Sequence, residues 1–206
     1  MTKLLITRHG HVDGTLPERF RGRAELVLTE RGLAEAEDEA LAQRIGKNWK
    51  PAAIYTSSLQ RCVVTGGRIA KACGVGTATL DGLMDIDYGA WQMRIQDEIK
   101  AEAPELFQRW RATPQRMRFP GGESLQDLVA RTADVLRLGL ERHAEETAVL
   151  VGHDSVNRAP LLQLLDQPLS AYWRIAQSPC RLNEVDIGPG GVRVERVNDT
   201  SHLERP

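Results

Sequence analysis

The chain has 206 residues, with 27 Lys plus Arg against 28 Asp plus Glu and a net charge of −1 when histidines are neutral. That length fits one full-size domain, or at most two small ones, and 41% hydrophobic against 27% charged residues excludes a disordered chain, which needs fewer apolar residues and more net charge. The balance of charge also argues against a general nucleic-acid binder, which carries a basic excess. In chain order, the apolar run at 4–6 ends at Thr7-Arg8-His9-Gly10 and predicts a buried strand opening into a loop. Glycine, proline and charge over 11–28 predict an irregular loop. Thr29 is placed as the N-cap of a helix with apolar residues at 33, 36, 40, 41 and 45. Residues 52–56 read as a second strand. Ser57-Ser58 then cap a helix that runs to about Cys73 and stops at Gly74. A short strand is expected at 77–80, and helices over 95–112 and 123–142. Residues 148–151 give the clearest strand, followed by Gly152-His153-Asp154-Ser155. A helix over 157–165 and a hairpin pairing 182–187 with 192–197 complete the reading.

Strands alternating with helices of this length predict an α/β fold, a three-layer α/β/α sandwich on a mostly parallel central sheet. In such sheets ligands bind beyond the carboxyl ends of the strands. Three polar clusters fall at those ends: Arg8-His9, Ser57-Ser58 with Arg61, and His153-Asp154. The N-terminus carries only a three-residue apolar run before charge, and no stretch approaches 18 apolar residues, so a soluble cytoplasmic protein without a membrane partner is expected. Cys62, Cys73 and Cys180 form no disulfide framework. Arginine supplies 22 of the 27 basic residues, which reads mainly as coding bias, although arginine is also the better bidentate partner for phosphate.

The chemistry-bearing residues are few. Arg8 offers a planar donor fork, and Gly10 lets the backbone turn close to a ligand beside His9. Ser57-Ser58 and Arg61 lie where a helix N-terminus presents free N–H groups. His153 repeats the strand-end pattern, so two histidines could face each other across one anion. His9 and His11 could ligate a metal from a loop, but an arginine beside each candidate ligand would repel a dication, and no metal is expected. No phosphate-binding Gly-x-x-x-x-Gly-Lys-Ser/Thr loop and no Gly-x-Ser-x-Gly elbow occurs.

Six ordered segments carry a resemblance: Leu5-Ile6-Thr7-Arg8-His9-Gly10, Phe20 to Thr29, Thr56-Ser57-Ser58-Leu59-Gln60-Arg61, Leu83 to Trp91, Gly121-Gly122-Glu123-Ser124, and Val151-Gly152-His153 with Arg158. Together with the tail at 198–203, they resemble the histidine phosphatase superfamily, which includes the cofactor-dependent phosphoglycerate mutases. The likeness runs over nearly the whole chain. It implies a phosphoglycerate mutase-like fold over 1–206 as a single domain, with a variable, lid-like insertion at about 90–122. It implies a metal-independent phosphomonoesterase, without a cofactor, that acts on a small phosphorylated metabolite as a monomer or homodimer.

By this resemblance His9 is the nucleophile that forms a phosphohistidine, and Arg8, Arg61 and His153 bind the phosphate oxygens. Asp85 matches the position of the proton donor and acceptor, where the family usually has glutamate. Asp154 is the alternative acid, because a distant branch uses a His-Asp pair there. His11, Arg21, Ser58, Glu123 and Ser124 are expected near the substrate, and Arg158 as structural support. Arg19, Arg21, Arg23, Arg116 and Arg118 are read either as a pocket rim or, in preference, as a solvated face, with Trp110, Met117 and Phe119 as lid or core residues. Asp154-Ser155 stand where the family has Gly-Gly, which narrows the pocket floor. Asp87 stands where a mutase carries arginine, which favours a phosphatase over a mutase. The Asp85 substitution leaves a third reading, a phosphate-binding module with impaired catalysis.

Overall fold

Leu4, Leu5 and Ile6 are all fully buried, yet they belong to two different cores. In a strand, neighbouring side chains point to opposite faces. The structure, a computed structural model, describes residues 1–13, 17–36 and 41–203. Its first half contains β1 (Thr2–Arg8), α1 (Glu30–Ala36), α2 (Leu41–Asn48), β2 (Ala53–Thr56), α3 (Gln60–Cys73) and β3 (Thr77–Thr79). Its second half contains α4 (Gln96–Glu102), α5 (Pro104–Ala112), α6 (Leu125–Arg142), β4 (Thr147–Gly152), α7 (Asp154–Leu164), β5 (Leu182–Gly188) and β6 (Gly191–Asp199).

The six strands form one sheet in the order β3-β2-β4-β1-β5-β6. β1, β2, β3 and β4 run parallel to their neighbours among these four, whereas β5 pairs antiparallel with both β1 and β6. Leu5, Ile54, Val149 and Val151 pack on one face against Ala36, Leu41, Ile45, Cys62 and Ile69 of α1 to α3. Leu4, Ile6, Tyr55, Ala148 and Leu150 pack on the other against Val135, Leu136 and Leu161 of α6 and α7. The result is the three-layer α/β/α sandwich expected from the alternation of elements.

A third cluster lies beside the sandwich. Phe20, Ile86, Trp91, Ile99, Trp110, Met117, Phe119 and Tyr172 are buried together. Phe119 meets Trp110 at 4.9 Å and Tyr88 at 4.8 Å between ring centroids, both edge to face, the geometry that aromatic quadrupoles favour. Trp110, Met117 and Phe119 are therefore core residues. Phe20 precedes Arg21 and Ile86 follows Asp85 in sequence, so this cluster fixes both loops that border the strand ends.

Several local expectations need correction. The single helix expected over 95–112 is two helices. Ala103 adopts φ −135° between them, because Pro104 lacks an N–H and disfavours helical backbone in the residue before it. Ser57-Ser58 do not cap α3. Leu59 is the residue before the helix, and the Ser57 hydroxyl accepts its N–H at 3.3 Å. α7 begins at Asp154 rather than at 157, since an acidic side chain is favourable in a first turn and apolar periodicity is silent there. α6 begins at Leu125 behind a capping box of Ser124 and Asp127. Thr29 does cap α1, accepting the Gly32 N–H at 3.0 Å, and Gly74 ends α3 at φ 69°. Residues 37–40, across which the first helix was expected to continue, and residues 14–16 of the expected loop lie outside the described residues.

Candidate active site

β4 lies between β1 and β2, so the carboxyl ends of all three open at one place. Backbone bonds lock that junction: the His9 N–H donates to Gly152 O at 3.1 Å, and the Ser57 N–H donates to Val151 O at 3.0 Å. The loop after His9 is pressed against the start of α1. A Cβ at Gly10 would sit 2.3 Å from Gly32 O, and one at Gly32 would sit 2.0 Å from His11 O. Only two glycines permit that approach.

The two histidines lie edge to face, 5.2 Å between ring centroids. His9 Nδ1 is 2.7 Å from Gly10 O. A carbonyl can only accept, so Nδ1 carries a hydrogen, and in the neutral ring the lone pair lies on Nε2. His153 is bound the opposite way. Arg61 Nε, which can only donate, lies 3.2 Å from His153 Nδ1, and His153 Nε2 donates to Ser57 Oγ at 2.9 Å. His153 is thus neutral, and burial favours the neutral ring in His9 as well. Burial holds the His9 pKa well below the usual 6.5, and His153, Arg8 and Arg61 push it the same way. Burial, then Arg61 and Arg8, do the same to His153.

Arg61 is 1% exposed and spans the site. Its Nη1 donates to Ala24 O at 2.7 Å, and its Nη2 to Gly22 O at 2.7 Å and Asp85 Oδ2 at 3.4 Å. Arg8 donates from Nη1 to Gln177 O at 2.6 Å, while its buried Nε has no hydrogen-bond partner among the described residues. Burial lowers the pKa of this guanidinium, against the opposing pull of Asp154. Asp85 is 8% exposed. Its Oδ2 faces Arg61 and lies 3.8 Å from His153 Nδ1; its Oδ1 accepts from the Ile86 N–H at 2.9 Å and from the Ser155 hydroxyl. Asp154 instead pairs with Arg158 at 2.6 Å. Arg158 also donates to Ile175 O and lies over the Tyr172 and Trp173 rings, the supporting role expected of it.

The remaining expected residues divide. Arg21 is half-buried with Nη1 lacking a hydrogen-bond partner, and its charge acts on both Arg8 and His153, which places it at the site. His11 is half-buried with Nδ1 3.0 Å from Thr29 Oγ1. Ser58 is exposed, and its neighbour Ser57 makes the contact with His153. Glu123 is committed to protein partners: Arg131 Nε and Nη2 and Arg23 Nη2, each at 3.0 Å. The Ser124 hydroxyl is spent on the α6 cap. Arg23 pairs with Glu123 and Asp87, and Arg118 with Asp127. Arg19 donates to Met93 O and Arg116 is exposed. Ser57, Ser155, Gln177 and Arg131 escaped the sequence reading in these roles. Among the described residues no three His, Cys, Asp or Glu side chains converge as metal ligands, and no helix is long and apolar enough to cross a membrane.

Two buried neutral histidines tie stability to pH. Each has a folded pKa below 6.5, so the unfolded chain binds more protons once pH drops under that value. Stability is complete above about pH 6.5 and falls as pH moves down toward the folded values, by up to about 1.4 kcal/mol per pH unit for each histidine. Urea unfolding between pH 5 and 7.5 is expected to show this slope, shallower in His9→Ala. A flat profile below pH 6.5 would contradict the assignment of neutral rings.

The sequence model of the histidine phosphatase superfamily (branch 1) matches residues 4–200. Phosphoserine phosphatase 1 of Hydrogenobacter thermophilus is 30% identical over 98% of this chain and 95% of its own length. The metal-independent phosphoserine phosphatase of Arabidopsis thaliana is 31% identical over 98% of this chain and 84% of its own. A probable phosphoglycerate mutase of Yersinia pestis, GpmB, is 30% identical over 100% and 97%. Among solved structures, Bacillus stearothermophilus YhfR superposes with a TM-score of 0.91 at 26% identity, covering 99% of this chain and 100% of that one.

Proposed function

The chain belongs to branch 1 of the histidine phosphatase superfamily and is a phosphoric monoester hydrolase, and we propose that it works without a metal ion through a phosphohistidine on His9. The observation that carries this is the His9 tautomer: Nδ1–H is bound to Gly10 O, so the Nε2 lone pair is free to attack phosphorus at neutral pH. The P–O bond to the leaving alkoxide breaks as the N–P bond forms, and that oxygen takes a proton from Asp85. Asp85 then accepts a proton from water, which attacks the phosphohistidine and releases inorganic phosphate and neutral His9. Arg8 and Arg61 bind the non-bridging oxygens, His153 joins them by turning onto phosphate the Nε2–H that it gives to Ser57 Oγ, and Arg21 adds positive charge. Phosphoryl transfer depends mainly on such positioning and charge stabilisation.

Asp85 is favoured over Asp154 because its Oδ2 abuts Arg61 and His153, whereas Asp154 is paired with Arg158. The pairing of Asp87 with Arg23 puts a carboxylate where a mutase-like arginine is expected, which supports hydrolysis over mutase exchange. Serine phosphate is the first substrate to test, since two relatives are named for it. Buried, unpaired Cys62 and Cys180 suit a reducing cytoplasm. We also propose a single domain in which 90–122 borders the pocket, in a monomer or homodimer.

The test is hydrolysis of serine phosphate and p-nitrophenyl phosphate in excess EDTA. Turnover is expected to persist in EDTA. Asp85→Asn is expected to lower kcat/KM for the alkyl ester about 100-fold or more, and Asp154→Asn less than about tenfold. Strict dependence on an added divalent metal would overturn the metal-free reading. A collapse in Asp154→Asn with Asp85→Asn unaffected would reassign the acid.

A further inference from the structure

A proton donor does its work only if its proton lies on the oxygen that faces the leaving group. Asp85 has two oxygens and one methylene, so something must decide which oxygen that is. The deciding contacts all fall on Oδ1. The Ile86 N–H points at Asp85 Oδ1 at 2.9 Å and at Ser155 Oγ at 3.4 Å. Ser155 Oγ thus accepts from the backbone and turns its own hydrogen onto Oδ1. Ser155 is 3% exposed, and its carbonyl accepts the buried Tyr172 hydroxyl at 3.0 Å, so its backbone is held in place. With both acceptor directions of Oδ1 taken, a proton on the neutral acid sits on Oδ2. Oδ2 is the oxygen 3.4 Å from Arg61 and 3.8 Å from His153 Nδ1, and it faces the phosphate clamp.

We infer that Ser155 is a positioning residue that orients the Asp85 carboxyl so that its transferable proton faces the leaving group. The segment His153-Asp154-Ser155 thereby serves both the phosphate and the acid. Of the Asp154-Ser155 pair expected to narrow the pocket floor, Ser155 bonds a carboxyl one methylene shorter than that of glutamate. This inference rests on the reading of Asp85 as proton donor.

The test compares two leaving groups in Ser155→Ala, Ser155→Gly, Ser155→Thr and Asp85→Asn. An alkoxide needs a proton to depart, whereas p-nitrophenolate leaves without one, and kcat/KM reports the steps up to phosphohistidine formation. Ser155→Ala and Ser155→Gly are expected to lose about tenfold in kcat/KM for serine phosphate. Their kcat/KM for p-nitrophenyl phosphate should change by less than about threefold, which also shows that they are folded. Ser155→Thr keeps the hydroxyl and restores the alkyl ester rate. Equal losses on both esters, or no loss on either, would overturn the inference while leaving Asp85 in place if Asp85→Asn still discriminates. If Asp85→Asn does not discriminate, the proton-donor reading fails and the role of Ser155 fails with it.

Discussion

Replacing His9 with alanine is expected to abolish turnover of every phosphomonoester, with kcat down about 10,000-fold or more, the scale seen when a covalent nucleophile is removed. No neighbour can substitute. Both nitrogens of His153 are engaged, by Arg61 and by Ser57. Burial holds the Cys62 thiol far above its ordinary pKa, so no thiolate is present. The Ser57 hydroxyl is tied to His153 and to the Leu59 N–H. The His9 side chain makes its hydrogen bond to the adjacent Gly10 O, and the backbone bonds that hold the junction belong to main-chain atoms. The variant should therefore fold, keep phosphate affinity through Arg8 and Arg61, and lose only the chemistry. Residual activity above about 1% of wild type would contradict the assignment of His9 as nucleophile.

Arg61→Lys is expected to lower kcat/KM by about 1,000-fold, the lower end of what a transition-state arginine supplies to phosphoryl transfer. Charge is conserved in this substitution, so the loss isolates geometry. The three guanidinium nitrogens reach the Gly22 and Ala24 carbonyls, His153 and Asp85 at once. A lysine ammonium donates from one point and cannot span them. It leaves a loop carbonyl unsatisfied and His153 Nδ1 without its donor, so the tautomer that places the second histidine is no longer fixed. A stability loss of about 2–4 kcal/mol is expected as well, the cost of one or two buried acceptors left unpaired. Kinetics measured well below the variant's melting temperature separate the two effects. A kcat/KM within tenfold of wild type would show that the fork geometry is not required.

How much of this was legible in the sequence depends on distance along the chain. Arg8-His9-Gly10, Ser57 to Arg61 and Val151 to Ser155 each follow an apolar strand, and one topological rule puts such residues at a common edge. Arg8, His9, Arg61 and His153 could therefore be read in advance. Ser57 and Ser155 could not be assigned their roles, because their partners are remote: Ser57 lies 96 residues from His153, and Ser155 lies 70 from Asp85. Glu123 and Ser124 carried acceptors that suited a substrate. Only folding reveals that Arg131 and Arg23 occupy the first and that a helix cap uses the second. Pro104 marked a helix break that apolar spacing alone overrode.

The arginine excess also gains a physical reading at particular positions. Arg131 donates to Gly82 O, Met84 O and Asp85 O while gripping Glu123, which fixes the backbone that presents Asp85. Arg61 and Arg158 likewise bond backbone carbonyls and side chains together. A lysine gathers its three donors at a single nitrogen and could not span these separated partners.

The mechanism requires a phosphoryl group on His9, and trapping that group is the sharpest test of it. In Asp85→Asn, p-nitrophenyl phosphate should still load the enzyme, because its leaving group needs no acid, while water attack on the adduct lacks its base. A burst of p-nitrophenolate equal to the enzyme concentration is expected. Mass spectrometry of protein quenched in base should then find one phosphoryl group on the peptide carrying His9 and none in the His9→Ala, Asp85→Asn double variant. No burst together with no adduct during turnover, or an adduct on any other residue, would rule out His9 as the phosphoryl carrier.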